Sequence, residues 1–206
     1  MNEQQYSTGD ILLFNENHFW TPFGPFSYLI KLFTNSSWSH IGMIVKDPKF
    51  TDPELPEGLY LWESSLEPSD AEDHKMKLAV QMIPLKQKLD KFKGIVHWRK
   101  LNTGSICVCT DKLREIHKLV HGKPYDLNPI DWLEAFVEHN GKPSTSRYFC
   151  SALVARIYTF LGLMKPDTDW SIIRPSSFSE QNLDDKLSVK LLGGAMLDPE
   201  VEIQNN

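Results

Sequence analysis

Short apolar runs separated by proline- and glycine-bearing stretches set the pattern of this chain. Ile11 to Phe14, behind Gly9-Asp10, is continuous and short enough for a strand buried on both faces. After a loop with Pro22 and Gly24, Pro25 suits a first helical position, and Phe26, Leu29, Ile30 and Phe33 follow at helical spacing. Trp38 to Lys46 is rich in β-formers and predicts a strand. Pro48, Pro53 and Pro56 mark residues 47–58 as a surface excursion, and strand character resumes at Leu59, where Tyr60 and Trp62 alternate with Leu61 and Glu63.

The charged stretch Asp70 to Lys77 reads as solvated loop, and Leu78 to Pro84 and Gly94 to Leu101 read as further strands. Between them, the short basic run from Lys88 to Lys93 reads as solvated surface. Thr110 is positioned to cap a helix from Asp111 to His121 that Gly122 ends. A turn at Lys123 to Asp126 and a short helix at Ile130 to Glu138 follow. The strongest helical signal starts at Cys150, where Leu153, Val154, Ile157, Tyr158 and Leu161 fall at offsets 3, 4, 7, 8 and 11, and Gly162 closes the run. Cys150 therefore opens the apolar stripe of that helix.

The chain has 206 residues, 41% of them hydrophobic and 24% charged, and no internal repeat or low-complexity tract, which points to one globular domain over 1–206. Its net charge of −5 provides no basic field for a nucleic-acid backbone, so no nucleic-acid partner is expected. No run approaches the roughly 18 apolar residues of a membrane span, and no signal peptide is visible in the first ten residues. A cytoplasmic or otherwise intracellular location is expected, with reduced thiols, because Cys107, Cys109 and Cys150 are odd in number and two of them are nearly adjacent.

Cys150 in the first helical turn would lie near the positive end of the backbone dipole and near unpaired N–H groups, which favour thiolate and can hold an oxyanion. The competing reading is a small buried hydrophobe on the stripe. His40 begins the apolar half of a strand, where it can be a general base to a thiol or a satisfied half-buried histidine. Glu63, among Tyr60, Leu61 and Trp62, either needs a cationic partner or faces solvent on an edge strand. Cys107, Cys109, His117 and His121 form a rival constellation for zinc, but the spacing is tighter than that of known fingers. The cysteines also alternate with Ile106 and Val108 as on one face of a strand, so no metal is expected at these four residues. Phe19, Trp20, Phe23 and Phe26 suit either an aromatic lip for an apolar ligand or lipid surface, or anchors in the core.

The order of a Gly9-Asp10-Ile11 strand, a Ser39-His40-Ile41-Gly42 strand, a Gly122-Lys123-Pro124-Tyr125-Asp126 turn and a Phe149-Cys150-Ser151 helix start resembles the circularly permuted, YiiX-like relatives of NlpC-type cell-wall peptidases within the papain-like superfamily. The likeness runs from Gly9 to about Ser177, leaving 178–206 as a C-terminal extension. It implies an α+β fold, a small antiparallel sheet flanked by helices, with Cys150 as nucleophile, His40 as base and Glu63 as the third, orienting member. Tyr125 and Phe23 are expected to line the cleft, and no metal or organic cofactor is implied. Ala152 stands where many relatives carry an acidic residue, and the Asn-Cys-Glu-His signature of the retinol-acyltransferase branch is absent. The implied activity is thiol-dependent hydrolysis of an amide or ester in a small peptide-like or acyl conjugate. Lipid acyl transfer or thioester cleavage, or a non-catalytic lipid- or peptide-binding module, are the alternatives.

Overall fold

The structure, a computed structural model, describes residues 3–16, 37–67, 70–124, 150–181 and 188–203. Five antiparallel pairings join β1 (Ile11–Glu16), β2 (His40–Lys46), β3 (Leu59–Glu67), β4 (Lys77–Pro84), β5 (Gly94–Arg99) and β8 (Val201–Ile203) into one sheet of order β4-β3-β2-β1-β5-β8. A second ladder pairs β6 (Leu101–Asn102) with β7 (Met196–Leu197). Helices α1 (Leu85–Lys91), α2 (Thr110–Val120) and α3 (Cys150–Leu161) complete the α+β arrangement among the described residues.

The alternation of side chains along the strands divides the core in two. Ile11, Leu13, Ile41, Met43, Val45, Trp62, Val80 and Met82 join the buried residues of α2 and α3 on one face. Leu12, Phe14, Ile44, Leu61 and Val96 join Leu85 and Leu89 of α1 on the other. This two-sided burial is why Ile11–Phe14 has no polar position: β1 lies in the middle of the sheet with a layer on each side. The α3 stripe is as its spacing predicts, with Leu153, Val154, Ile157, Tyr158 and Leu161 all fully buried, and Gly162 leaves the helix at φ +85°.

Gly9 and Asp10 lock the start of β1. Gly9 sits at φ +104°, and a Cβ there would come within 2.7 Å of Leu101 Cδ2. The Tyr158 hydroxyl, reaching across from α3, donates to the Gly9 carbonyl at 2.5 Å. The buried Asp10 carboxylate accepts from Trp98 Nε1 (2.9 Å), Leu101 N (2.9 Å) and Ser7 N (3.0 Å). It acts as a structural acceptor for orphaned donors.

Several expectations need correction. The strand expected over Gly94 to Leu101 ends at Arg99, and Leu101 starts the smaller ladder. Arg99 reaches the carbonyls of Asp198, Leu197 and Phe178, tying the two ladders together. The run from Lys88 to Lys93 is not a solvated surface: α1 occupies 85–91, and Leu85, Lys88 and Leu89 form its buried face. Nor is 70–77 simply solvated, because Asp70 is fully buried and its carboxylate is paired with Lys77. Thr110 is the first residue of α2 rather than its cap, a position held by Cys109. Residues 103–109 form no strand, so Cys107 and Cys109 do not share a strand face. The stretch after Phe178 adds β7 and β8 to the two ladders. The helices expected around Pro25 and Ile130, and the turn at 125–126, lie outside the described residues.

Candidate active site

Three elements meet where β2 begins. Chain reversal brings β3 antiparallel to β2, in register at Met43↔Trp62, so Glu63 comes near the start of β2 and its side chain takes the α1 side of the sheet. Opposite His40 on β1 stands Phe14, whose ring centroid is 5.4 Å from that of the imidazole. α3 packs across β2 and β3 and delivers Cys150 from its first residue.

The sequence separates these groups widely, yet His40 bridges the other two. His40 Nε2 lies 2.6 Å from Glu63 Oε2, and the Cys150 sulfur is near enough to the imidazole to favour its charged form. Glu63 is held ionised and can only accept, so Nε2 carries the proton of the 2.6 Å bond and Nδ1 is the nitrogen left for sulfur. Glu63 and Cys150 are 0% and 2% exposed, whereas the His40 side chain is 17% exposed, so the solvent edge of this trio is the imidazole.

Glu63 has further partners that the sequence reading missed. Lys88 Nζ donates to Oε1 at 2.9 Å, and Ser65 Oγ donates to the same oxygen at 2.6 Å. Gln81 holds Ser65 in turn, through its carbonyl at 3.1 Å and its hydroxyl at 3.3 Å. Lys88 Nζ also sits 5.6 Å from the Phe14 ring centre. The sequence does carry a signal for Lys88, because it falls at the i+3 position between Leu85 and Leu89 on one helical face.

These contacts fix the charge states. Burial opposes ionisation of Glu63, but the Lys88 ammonium and the His40 ring outweigh it and hold the carboxyl well below the usual carboxylate range. Burial likewise opposes a charged His40. The Cys150 sulfur and the Glu63 carboxylate, by charge and by hydrogen bond, overcome it and push the ring up to about 9. The chemistry such an arrangement can perform is proton exchange with a sulfur nucleophile by an imidazole of fixed tautomer.

The other expected site residues do not join this trio. Tyr125 and Phe23, with Phe19, Trp20 and Phe26, lie outside the described residues. Cys107 is exposed and Cys109 half-buried, away from His117 and His121: among the described residues, the histidine pair instead gathers with Glu72. No described helix is long and apolar enough to cross a membrane. No protein-family model matches the chain, and no curated protein matches it.

Proposed function

We propose that the chain is a cysteine hydrolase of the circularly permuted NlpC-type, papain-like kind, with Cys150 as nucleophile, His40 as general base and acid, and Glu63 as the orienting member. The observation that carries this reading is the position of the His40 ring, 2.6 Å from the buried Glu63 carboxylate and near enough to the Cys150 sulfur for that sulfur to favour its charged form. A histidine serving only the core needs one satisfied partner. This one is set between a sulfur and a buried carboxylate. The antiparallel sheet with the cysteine-bearing helix on one face is compatible with the fold that the sequence resemblance implies.

In the proposed reaction the thiol proton resides on His40 Nδ1, giving a thiolate–imidazolium pair whose positive charge is balanced by Glu63 through Nε2–H. The thiolate adds to an amide or ester carbonyl, and the carbonyl π electrons move to oxygen, where the Cys150 backbone N–H donates to the oxyanion. As the intermediate collapses, the bond to the leaving amine or alcohol breaks and His40 Nδ1–H protonates it. Water then gives a proton to Nδ1 and attacks the thioester, releasing the acid and restoring the pair. Lys88 keeps Glu63 ionised throughout, which keeps the proton on Nε2 and the ring in the productive tautomer.

The proposed substrate is a small peptide-like or acyl conjugate. Activity-based probes with small acyl or dipeptide groups are expected to label the wild type and to leave Cys150→Ala and His40→Ala unlabelled. Equal labelling of Cys150→Ala would end the proposal, and efficient digestion of casein without preference for small probes would overturn its substrate class.

A further inference from the structure

On the opposite side of β3 from Glu63, a second group of side chains converges that the proposed hydrolase does not use. His117 and His121 stand one turn apart at the C-terminal end of α2, with ring centroids 4.8 Å apart. Glu72 comes from the loop between β3 and β4. His117 Nε2 is 2.9 Å and His121 Nδ1 3.0 Å from the same oxygen, Glu72 Oε1, and the three ligand atoms all lie within 4.8 Å of one another.

Hydrogen bonding leaves one of these atoms unmatched: His121 Nδ1, although 3.0 Å from the Glu72 oxygen, is buried and not aligned to make a hydrogen bond with it. Two imidazole nitrogens and a carboxylate oxygen gathered within 4.8 Å of one another can also serve as ligands to one metal ion. Two imidazoles and one carboxylate are a zinc donor set that leaves a fourth position open. Zinc bonds of about 2.0–2.1 Å in a tetrahedron set ligand atoms about 3.3 Å apart, so the 2.9 and 3.0 Å separations would widen slightly and the two imidazole nitrogens, within 4.8 Å of each other, would draw together by a turn of the partly exposed His121 ring.

The surroundings hold the donors in place. Phe50 and Trp62 pack against His117, each with ring centroids 5.6 Å away. Asp70, fully buried, accepts from the backbone N–H of Glu72 at 3.2 Å and of Met82 at 3.3 Å, and Ala71 N donates to the Met82 carbonyl at 2.7 Å. The loop is thus fixed to β4 beside the Glu72 carboxylate. The side chains of Glu72 and His117 are 5% and 8% exposed and that of His121 27%, so an ion would enter, and keep its water ligand, on the His121 side.

We infer that Glu72, His117 and His121 form a binding site for one divalent transition-metal ion of the zinc class, clamping the end of α2 to the β3–β4 loop. The expectation of no metal at Cys107, Cys109, His117 and His121 is thereby revised in its histidine half: the partner is Glu72 and the cysteines take no part.

The test is a calorimetric Zn2+ titration of the full chain, stripped with a chelator and dialysed, together with a Co2+ titration followed in the visible and near-ultraviolet. One equivalent of Zn2+ is expected, with a rise in Tm. Co2+ should give the intense visible bands of a tetrahedral ion without the near-ultraviolet band of thiolate ligation. His121→Ala and Glu72→Gln should each weaken Zn2+ binding at least ~100-fold, more than the usual loss of an outer partner. The Cys107→Ser, Cys109→Ser double variant should bind as the wild type does. His121 is the most exposed of the three, so His121→Ala remains a decisive test if a Glu72 or His117 variant fails to fold. No Zn2+ uptake by the wild type, uptake that survives His121→Ala, or uptake lost in the double cysteine variant would each overturn the assignment.

Discussion

Lys88 Nζ lies 2.9 Å from Glu63 Oε1, with the two side chains 8% and 0% exposed. This ion pair is the support on which the His40 tautomer rests, and it ties α1 to β3. Removing one partner of a buried pair strands the other charge and typically costs 3–5 kcal/mol, whereas replacing both with apolar groups is far milder. Glu63 keeps two donors, His40 and Ser65, when Lys88 is lost. Lys88→Met is therefore expected to cost about 3 kcal/mol, the low end of that range. Lys88→Met with Glu63→Leu should cost less than Glu63→Leu alone. Urea unfolding of the three variants measures this, and a Lys88→Met cost under ~1 kcal/mol, as for an exposed ion pair, would contradict it.

The same groups set a pH dependence of stability. His40, whose ring is raised from 6.5 to about 9, contributes stability that is complete below about pH 6.5 and is lost as the pH rises through 9. Glu63, held below its ordinary 4.5, contributes stability that is complete above that value and is lost as the pH falls through its lowered pKa. An NMR titration of the His40 ring in the folded wild type reads the histidine part directly: the ring should keep its charge through neutral pH and lose it at about 9. A ring that loses its charge near the ordinary value of about 6.5 would contradict the charged ring.

Gly42 on β2 offers a geometric probe of the same place. A Cβ there would meet Leu61 Cδ1 and Cγ at 2.7 Å, and Leu61 stands two residues before Glu63 on β3. Gly42→Ala should therefore push β3 from β2, with an overpacking cost of roughly 1–3 kcal/mol. It should also slow alkylation of Cys150, because the 2.6 Å contact between His40 and Glu63 depends on that strand spacing. Compensation by Leu61→Ala in the same chain, measured by alkylation rate, would support this cause. No loss of rate in Gly42→Ala would refute it.

How much of this could be read from residues alone depended on how local the signal was. Strand alternation and the Cys150 stripe are local, and β1 to β4 and α3 lie where the apolar periods place them. Glu63 was legible as a carboxylate needing a partner because its neighbours are large and apolar; the structure makes β3 an interior strand and leaves the carboxylate fully buried. Lys88 was not legible by composition, since lysine is rarely buried unless paired and its partner is 25 residues away. The same distance problem hid Glu72, which is 45 residues from His117 and sits in a charged loop that looks solvated. In 103–109 the alternation of Ile106 and Val108 with the cysteines mimicked a strand, but among the described residues no neighbouring ladder pairs with them. Periodicity reports which side chains are apolar, not whether a partner strand is within reach.

The measurement closest to the central claim is the rate of iodoacetamide alkylation of Cys150 at about pH 6, followed by peptide mass spectrometry in wild type and His40→Ala. At that pH an ordinary thiol with a pKa near 8.5 is under about 1% thiolate, so a pair with His40 should stand out. Cys107 and Cys109 are internal references, and Cys109 is a demanding one because a hydrogen bond from Cys107 lowers its pKa. Cys150 is expected to react at least ~10-fold faster than either in the wild type and to lose that advantage in His40→Ala. Alkylation of Cys150 no faster than that of Cys107, or a fast rate that survives the loss of His40, would contradict the thiolate–imidazolium pair.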